Sequence, residues 1–246
     1  MAQQRLDKII ASTGRYSRRE VKTLVREGRV LVDGRIAASA EDKCDPLTAR
    51  ISVNGEELFY REHTYVMLHK PAGVLSATED GRGETVLDLL APEYRKIGLF
   101  PVGRLDKDTE GLLLLTAHDL LAPKKHVDKV YFVRTDGALD DADCKAFVQG
   151  IMLGDGLECL PAKLEILKSD AQSEALITIH EGKFHQIKRM LASRGKPVVY
   201  LKRLSMGSLT LDEGLSKGEY RLLTAEEIKN LRESGQFAQG KAGADK

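Results

Sequence analysis

The chain has few cysteines and lacks the common signatures of a bound cofactor. Cys44, Cys144 and Cys159 are odd in number, far apart and without a Cys-x-x-Cys pair, which argues against a disulfide framework and a cysteine zinc site. Six histidines form no His-Glu-x-x-His pattern, so no metal is indicated. Neither Gly-x-x-x-x-Gly-Lys-Ser/Thr nor Gly-x-Gly-x-x-Gly occurs, and no nucleotide cofactor is implied. No apolar run approaches the roughly 18 to 20 residues of a membrane span. The opening "MAQQRLDKII" has no apolar stretch of the secretory type. A cytoplasmic protein is expected, and an enzyme of this kind would work with its own side chains.

The chain has 246 residues, 42% hydrophobic and 30% charged. That suffices for a real core in one large or two ordinary domains. The net charge of +1 hides a strong segregation. Residues 1–35 carry nine Lys/Arg against four acids, residues 183–203 carry seven and no acid, and residues 135–181 carry ten acids against three bases. Solvated helix faces would explain the first segment alone. Two basic segments at opposite ends of the chain favour a polyanion partner.

The first 60 residues read as a small module. In "YSRREVKTLVREG", Ser17 and Glu20 have capping-box spacing, Val21, Leu24 and Val25 fall on one helical face, and Gly28 is placed to end the helix. "RVLVDGRIA" places Asp33-Gly34 between two β-rich runs, a hairpin signal. A shorter helix, "RLDKIIAST", offers Leu6, Ile9 and Ile10 to the same core. This order of helix, basic helix and hairpin over residues 4–50 resembles the S4 RNA-binding domain. The resemblance implies an RNA-docking face that includes Arg5, Lys8, Arg15, Arg18, Arg19, Lys22 and Arg26, reading shape and phosphates more than sequence.

From "TYVMLHKPAGVLSA" onward, strand and helix patterns mix. "YVMLHK", "KVYFVRTDG", "AKLEILKS" and "EALITIHEG" predict strands. "TVLDLLAP", "ALDDADCKAFVQG", "FHQIKRMLASRG" and "TAEEIKNLRE" predict helices. The expected architecture is α+β: a small S4-like αβ domain with its linker over 1–60, a mixed, largely antiparallel sheet domain over 61–232, and a small, polar, disordered tail over 233–246.

The most unusual stretch is "GRLDKDTEGLLLLT", where five charged residues precede four leucines. A solvated turn before a buried element accounts for it; so does a carboxylate held at the end of a rigid element for chemistry. The stretch resembles the central motif of the pseudouridine synthases, in the RsuA-type branch. "HKPAGVLSAT", "KKHVDKVYFV" and "EGKFHQIKRML" match the other blocks of that family in order, so the likeness with its S4 domain spans about residues 4–230.

In that family the Asp of Gly-Arg-Leu-Asp is the nucleophile, which falls on Asp106. The tyrosine that stacks on the target base and can take part in proton transfer falls on Tyr131. The basic residue closing "HQIK" falls on Lys188, and Arg104 belongs to the motif turn. Isomerising uridine breaks the N1–C1′ bond, turns the base over and rejoins it through C5. An ionised carboxylate can stabilise or trap the electron-deficient sugar, by attack at C1′ or along a glycal route. An apolar setting raises a carboxyl pKa and a cation opposes this, so Lys188 or Arg104 is expected beside Asp106. Unstacking the base costs a few kcal/mol, and stacking on Tyr131 returns roughly 1–3 kcal/mol. Lys107, Asp108 and Glu110 remain as the solvated turn. Residue by residue, Tyr131 also reads as an ordinary strand aromatic, Lys188 and Arg189 as an outer helix face, and Arg104 as a phosphate or loop contact.

Thr116 runs straight into "AHDLLAPKK", several residues shorter than the resemblance implies. "EGKFHQIKRM" looks like the small-subunit branch, named for uridine 516 of 16S rRNA, whereas large-subunit relatives tend to read Gly-Arg-Asn-x-x-Val-Arg-Arg. The expected partner is therefore 16S rRNA or a small-subunit assembly particle, met by a monomer without cofactor or metal, with Lys183 and Arg189 added to the RNA surface. A 23S rRNA target, a non-catalytic S4-type assembly protein and a hydrolase pairing Asp106 with Asp108 are the alternatives.

Overall fold

A computed structural model of the chain describes residues 3–58, 60, 64–117 and 127–234. It forms two compact units, Met1–Thr64 with Leu90–Leu99, and Tyr65–Leu89 with Phe100–Lys246. Most of the "AHDLLAPKK" stretch after Thr116 and the tail beyond residue 234 lie outside the described residues.

The first unit contains β1 (Gln4–Arg5), α1 (Leu6–Ala11), α2 (Arg18–Arg26), β2 (Val30–Val32), β3 (Arg35–Ile36), β4 (Lys43–Cys44), β5 (Ile51–Val53) and β6 (Glu56–Leu58). Strands β3-β2-β5-β6 form an antiparallel sheet, and β1 pairs with β4. Ser17 opens α2: its hydroxyl accepts from the Glu20 amide at 3.3 Å, and its own amide donates to the Glu20 carboxylate at 2.6 Å. Both hairpins turn through consecutive positive φ values, 50° and 78° at Asp33-Gly34 and 54° and 83° at Asn54-Gly55, the twist that two-residue hairpins favour. Val21, Leu24 and Val25 close the core with Leu6, Ile9, Ile10, Ile51 and Val53.

Helix α3 (Pro92–Lys96) joins this unit although it lies far along the chain. A Cβ on Gly14 would lie 2.1 Å from the Glu93 carbonyl oxygen, so only glycine permits the approach. The helix predicted over "TVLDLLAP" is absent. There the Thr85 amide and hydroxyl both donate to Asp88 Oδ2, at 2.8 and 2.9 Å, and fold the segment into a tight turn. Pro92 then begins a helix, its fixed φ suiting the first turn.

The second unit holds β7 (Tyr65–Lys70), β8 (Phe100–Pro101), β9 (Glu110–Thr116), β10 (Lys129–Asp136), α4 (Asp141–Gln149), β11 (Ile151–Met152), β12 (Glu158–Cys159), β13 (Lys163–Lys168), β14 (Gln172–Ile179), α5 (Gln186–Ser193), β15 (Val198–Met206), β16 (Leu209–Thr210), β17 (Tyr220–Leu222) and α6 (Ala225–Glu233). Its main sheet runs β13-β14-β10-β15-β9-β7-β17, with β8 beside β9 and β16 beside β15. Every pairing is antiparallel except β15 with β9. The α+β class and the mixed, largely antiparallel sheet are as expected.

Leu112 to Leu115 are fully buried, because β9 is central and covered on both faces. At the parallel crossing Gly111 faces Arg203 so closely that a Cβ would lie 2.2 Å from the Arg203 carbonyl oxygen. Strand β15 itself is an addition to the sequence reading. Its alternation is disguised by Arg203, which sits on a core-facing position at 1% exposure. Among the described residues no helix is long and apolar enough to cross a membrane.

Candidate active site

The loop Gly103–Thr109 links β8 to β9 and carries Asp106. It is gripped from the end of β7. Buried Lys70 donates through Nζ to the carbonyls of Pro71, Lys107 and Thr109 at 2.9, 3.1 and 3.0 Å. The Gly73 amide donates to the Lys107 carbonyl at 2.8 Å. The Ser76 hydroxyl donates to the Leu105 carbonyl at 2.9 Å and accepts from the Leu105 amide at 3.1 Å. The "HKPAGVLSA" block therefore clamps the carboxylate loop. Burial brings the Lys70 ammonium down to about 8, although Asp108, Asp106 and Glu110 favour its charge.

Across the loop stands α5. Its cap, His185, adopts a left-handed backbone at φ 47° without a side-chain capping bond, and its Nε2 lies 3.7 Å from Asp106 Oδ1. Three residues on, Lys188 Nζ lies 3.0 Å from Asp106 Oδ2 and 2.5 Å from Asp108 Oδ1. One ammonium thus bridges two carboxylates. Burial opposes its charge, but the hydrogen bonds to Asp108 and Asp106 raise its pKa. The same contact holds Asp108 below the usual carboxylate range. Lys188, and not Arg104, is the cation on Asp106; Arg104 is exposed on the wall of the same cavity. That cavity is also lined by Tyr131 from β10, His185 and Leu201 from β15. Tyr131 is only 7% exposed and lines the same cavity as Asp106.

One residue expected in the solvated turn is not there. Asp108 does stand in that turn beside Lys107 with its side chain exposed, and it is engaged by Lys188. Glu110 is buried, because β9 has already entered the sheet at that position; it accepts from the Tyr200 hydroxyl at 2.7 Å and from Lys217 at 2.9 Å. These donors hold its pKa down against burial. Lys107 also fits the turn reading, and its carbonyl still serves the clamp.

The expected RNA-binding residues separate into groups. Arg5, Lys8, Arg18, Arg19 and Lys22 surround one recess of the first unit, together with Asp7. Arg15 lies elsewhere, paired with Glu56 at 3.2 Å, and Arg26 is exposed at the far end of α2. In the second unit Lys183 lines the cavity and pairs with Glu181 at 3.0 Å, while Arg189 pairs with Asp155 at 2.5 Å. Lys70, Ser76 and His185 were missed from the sequence as functional positions. Lys70 and Ser76 do fall inside the "HKPAGVLSA" block, and His185 inside "FHQIKRM", so motif membership was their signal.

The model of the family described as RNA pseudouridylate synthase matches residues 64–193, and that of the S4 domain matches residues 4–46. The chain is 49% identical to the uncharacterized RNA pseudouridine synthase YtzG of Bacillus subtilis, covering 93% of this chain and 98% of that protein. It is 39% identical to ribosomal small subunit pseudouridine synthase A of Vibrio cholerae (92% and 99% covered). It is 38% identical to ribosomal large subunit pseudouridine synthase B of Bacillus subtilis (93% and 96% covered). A solved structure titled as a pseudouridylate synthase superposes with a TM-score of 0.63 at 35% identity, over 94% of this chain and all of that one. With a carboxylate loop clamped by its own motif and matched over both units, the chain belongs to the RNA pseudouridylate synthase family, in the RsuA-type branch that carries an S4 domain.

Proposed function

We propose that the protein isomerises one uridine of 16S rRNA to pseudouridine in the cytoplasm, without a cofactor, and that Asp106 is the nucleophile. The observation that carries this reading is the Asp106 carboxylate held 3.0 Å from Lys188 inside a cavity that also presents Tyr131. The Lys188 charge favours the ionised carboxylate. As the N1–C1′ bond breaks, electron deficiency grows on the sugar, and a fixed carboxylate meets it without reorganising. The freed uracil turns within the cavity, C5 joins C1′, the C5 proton leaves, and N1, which kept the electron pair of the broken bond, takes up one proton, so the reaction is an isomerisation with nothing gained or lost. Tyr131 stacks on the base and Leu201 packs beside it. Lys70 and Ser76 keep the loop still while this happens. The recess of Arg5, Lys8, Arg18, Arg19 and Lys22 docks the phosphates of the surrounding rRNA.

The choice of 16S rRNA rests on the "EGKFHQIKRM" block. Small- and large-subunit relatives are nearly equally similar, at 39% and 38% identity, so a 23S uridine is the second reading. Pseudouridine mapping across both rRNAs tests all of this, in cells lacking the gene and complemented with wild type or Asp106→Asn. Loss of one 16S site, restored only by wild type, is the expected result. A lost 23S site would overturn the target and keep the chemistry. Restoration by Asp106→Asn would remove the nucleophile, and no lost site would leave a non-catalytic rRNA-binding protein.

A further inference from the structure

Phe184 is the most exposed large apolar side chain among the described residues, at 74%. Its ring stacks on His185 with centroids 3.8 Å apart and planes within 18°. His185 in turn reaches Asp106 Oδ1 at 3.7 Å. Carboxylate, imidazole and phenyl thus form a short column running from the catalytic cavity outward, and the column's outer end is open.

The backbone beneath that column is held in an uncommon shape. His185 sits at φ 47°, ψ 34°, a region few side chains other than Asn, Asp and His visit. The surrounding turn fixes it there: the Lys183 amide donates to Gln186 Oε1 at 3.0 Å, and Gln186 Nε2 donates to Glu181 Oε1 at 2.8 Å. Strain retained beside a cavity, and braced by buried amide contacts, points to a required side-chain direction. The direction obtained is one that lays Phe184 flat against His185 with its other face to solvent. Arg104, Lys183 and Lys188 line the cavity into which His185 reaches.

We propose that the outer face of Phe184 is a stacking ledge for the nucleobase adjacent to the target uridine. This rests on the reading of the cavity as a uridine site. A base placed on Phe184 continues the column at ordinary stacking distance, about 3.4 Å. Aromatic stacking is indifferent to base identity, since every base has a π face. The ledge therefore compensates the unstacking of the flipped uridine's neighbour and holds the strand in register, while sequence choice is made elsewhere. Phe184 is a substrate-positioning residue in this assignment; the bond changes stay with Asp106.

The test uses the full chain and transcripts of 16S and 23S rRNA, followed by an RNA oligonucleotide spanning the mapped uridine with 2-aminopurine on either side. Phe184→Ala is expected to lower kcat/KM about tenfold, mainly through KM, since stacking on an aromatic is lost. Phe184→Leu keeps the apolar bulk and should behave like Phe184→Ala, whereas Phe184→Tyr restores the wild-type value. In the Asp106→Asn background, which separates binding from turnover, one 2-aminopurine position should be quenched on binding, and adding Phe184→Ala should abolish that quenching. Equal quenching with and without Phe184, or full rescue by leucine, overturns the ledge. Wild-type turnover with indifferent Phe184 variants would sink the ledge alone. A wild-type protein that forms no pseudouridine in either rRNA would remove the uridine reading and the ledge with it.

Discussion

The cations of α2 stand in water, while those between residues 183 and 203 mostly stand against partners inside the second unit. Arg18, Arg19, Lys22 and Arg26 are all exposed, and the side chains of Arg5 and Lys22 keep 43% and 51% of their surface. In the other stretch Lys188 holds Asp106 and Asp108, Arg189 holds Asp155, Arg194 holds Asp143 at 2.9 Å, and Arg203 donates through Nε to the Leu112 carbonyl at 2.8 Å. The difference has a physical meaning. Solvated cations shape the long-range field and respond to salt, whereas desolvated ones fix geometry and are costly to leave unpaired. Equal charge density along a chain can therefore serve docking in one region and construction of a site in another.

The contrast breaks first at Lys188. Lys188→Met leaves two carboxylates facing each other without their shared cation, so activity should fall between a hundred- and a thousandfold, about 2.7–4 kcal/mol of barrier. Single-turnover kinetics at saturating RNA measures it, with folding checked by thermal unfolding. A loss confined to KM would make Lys188 an ordinary RNA contact like those proposed for α2.

The next effect concerns stability. Arg203 is 1% exposed, and neighbouring Lys202 alternates to the other face of β15. Arg203→Ala should cost about 2–4 kcal/mol, from the cavity and the lost bond to the Leu112 carbonyl. Lys202→Ala should stay within about 0.5 kcal/mol. Denaturant unfolding compares them, and equal values would mean that Arg203 is not part of the core.

These two residues also show what could be read in the chain and what could not. Signals carried by neighbours in sequence were legible: the Ser17–Glu20 capping box and the Asp33-Gly34 hairpin appear as expected. Asp106 was legible through its motif. The spacing of Val86, Leu87, Leu89 and Leu90 suggested a helix because apolar residues recur at helical intervals, yet Asp88 capping Thr85 makes a turn instead. Strand β15 was hidden by its buried arginine. The clamp and the column were hidden by distance: Lys70 reaches carbonyls 37 and 39 residues away, and Ser76 reaches one 29 away. Glu110 looked like part of a charged turn only because its partners, Tyr200 and Lys217, lie 90 and 107 residues downstream.

The smallest effect sharpens the docking half of the contrast. Arg18, Arg19 and Lys22 converge on the recess beside Arg5 and Lys8, and each phosphate neutralised releases counterions. The logarithm of the rRNA binding constant should fall with the logarithm of salt by about 0.7–0.9 per contact. Replacing Arg18, Arg19 and Lys22 together by alanine should flatten that slope by about two units. Removing Arg189, whose guanidinium is already paired with Asp155, should scarcely change it. Filter binding across a salt series gives both slopes. If Arg189→Ala flattened the dependence and the triple α2 variant left it unchanged, the RNA would lie on the second unit's cations, and the first unit's recess would lose its assignment as the docking surface.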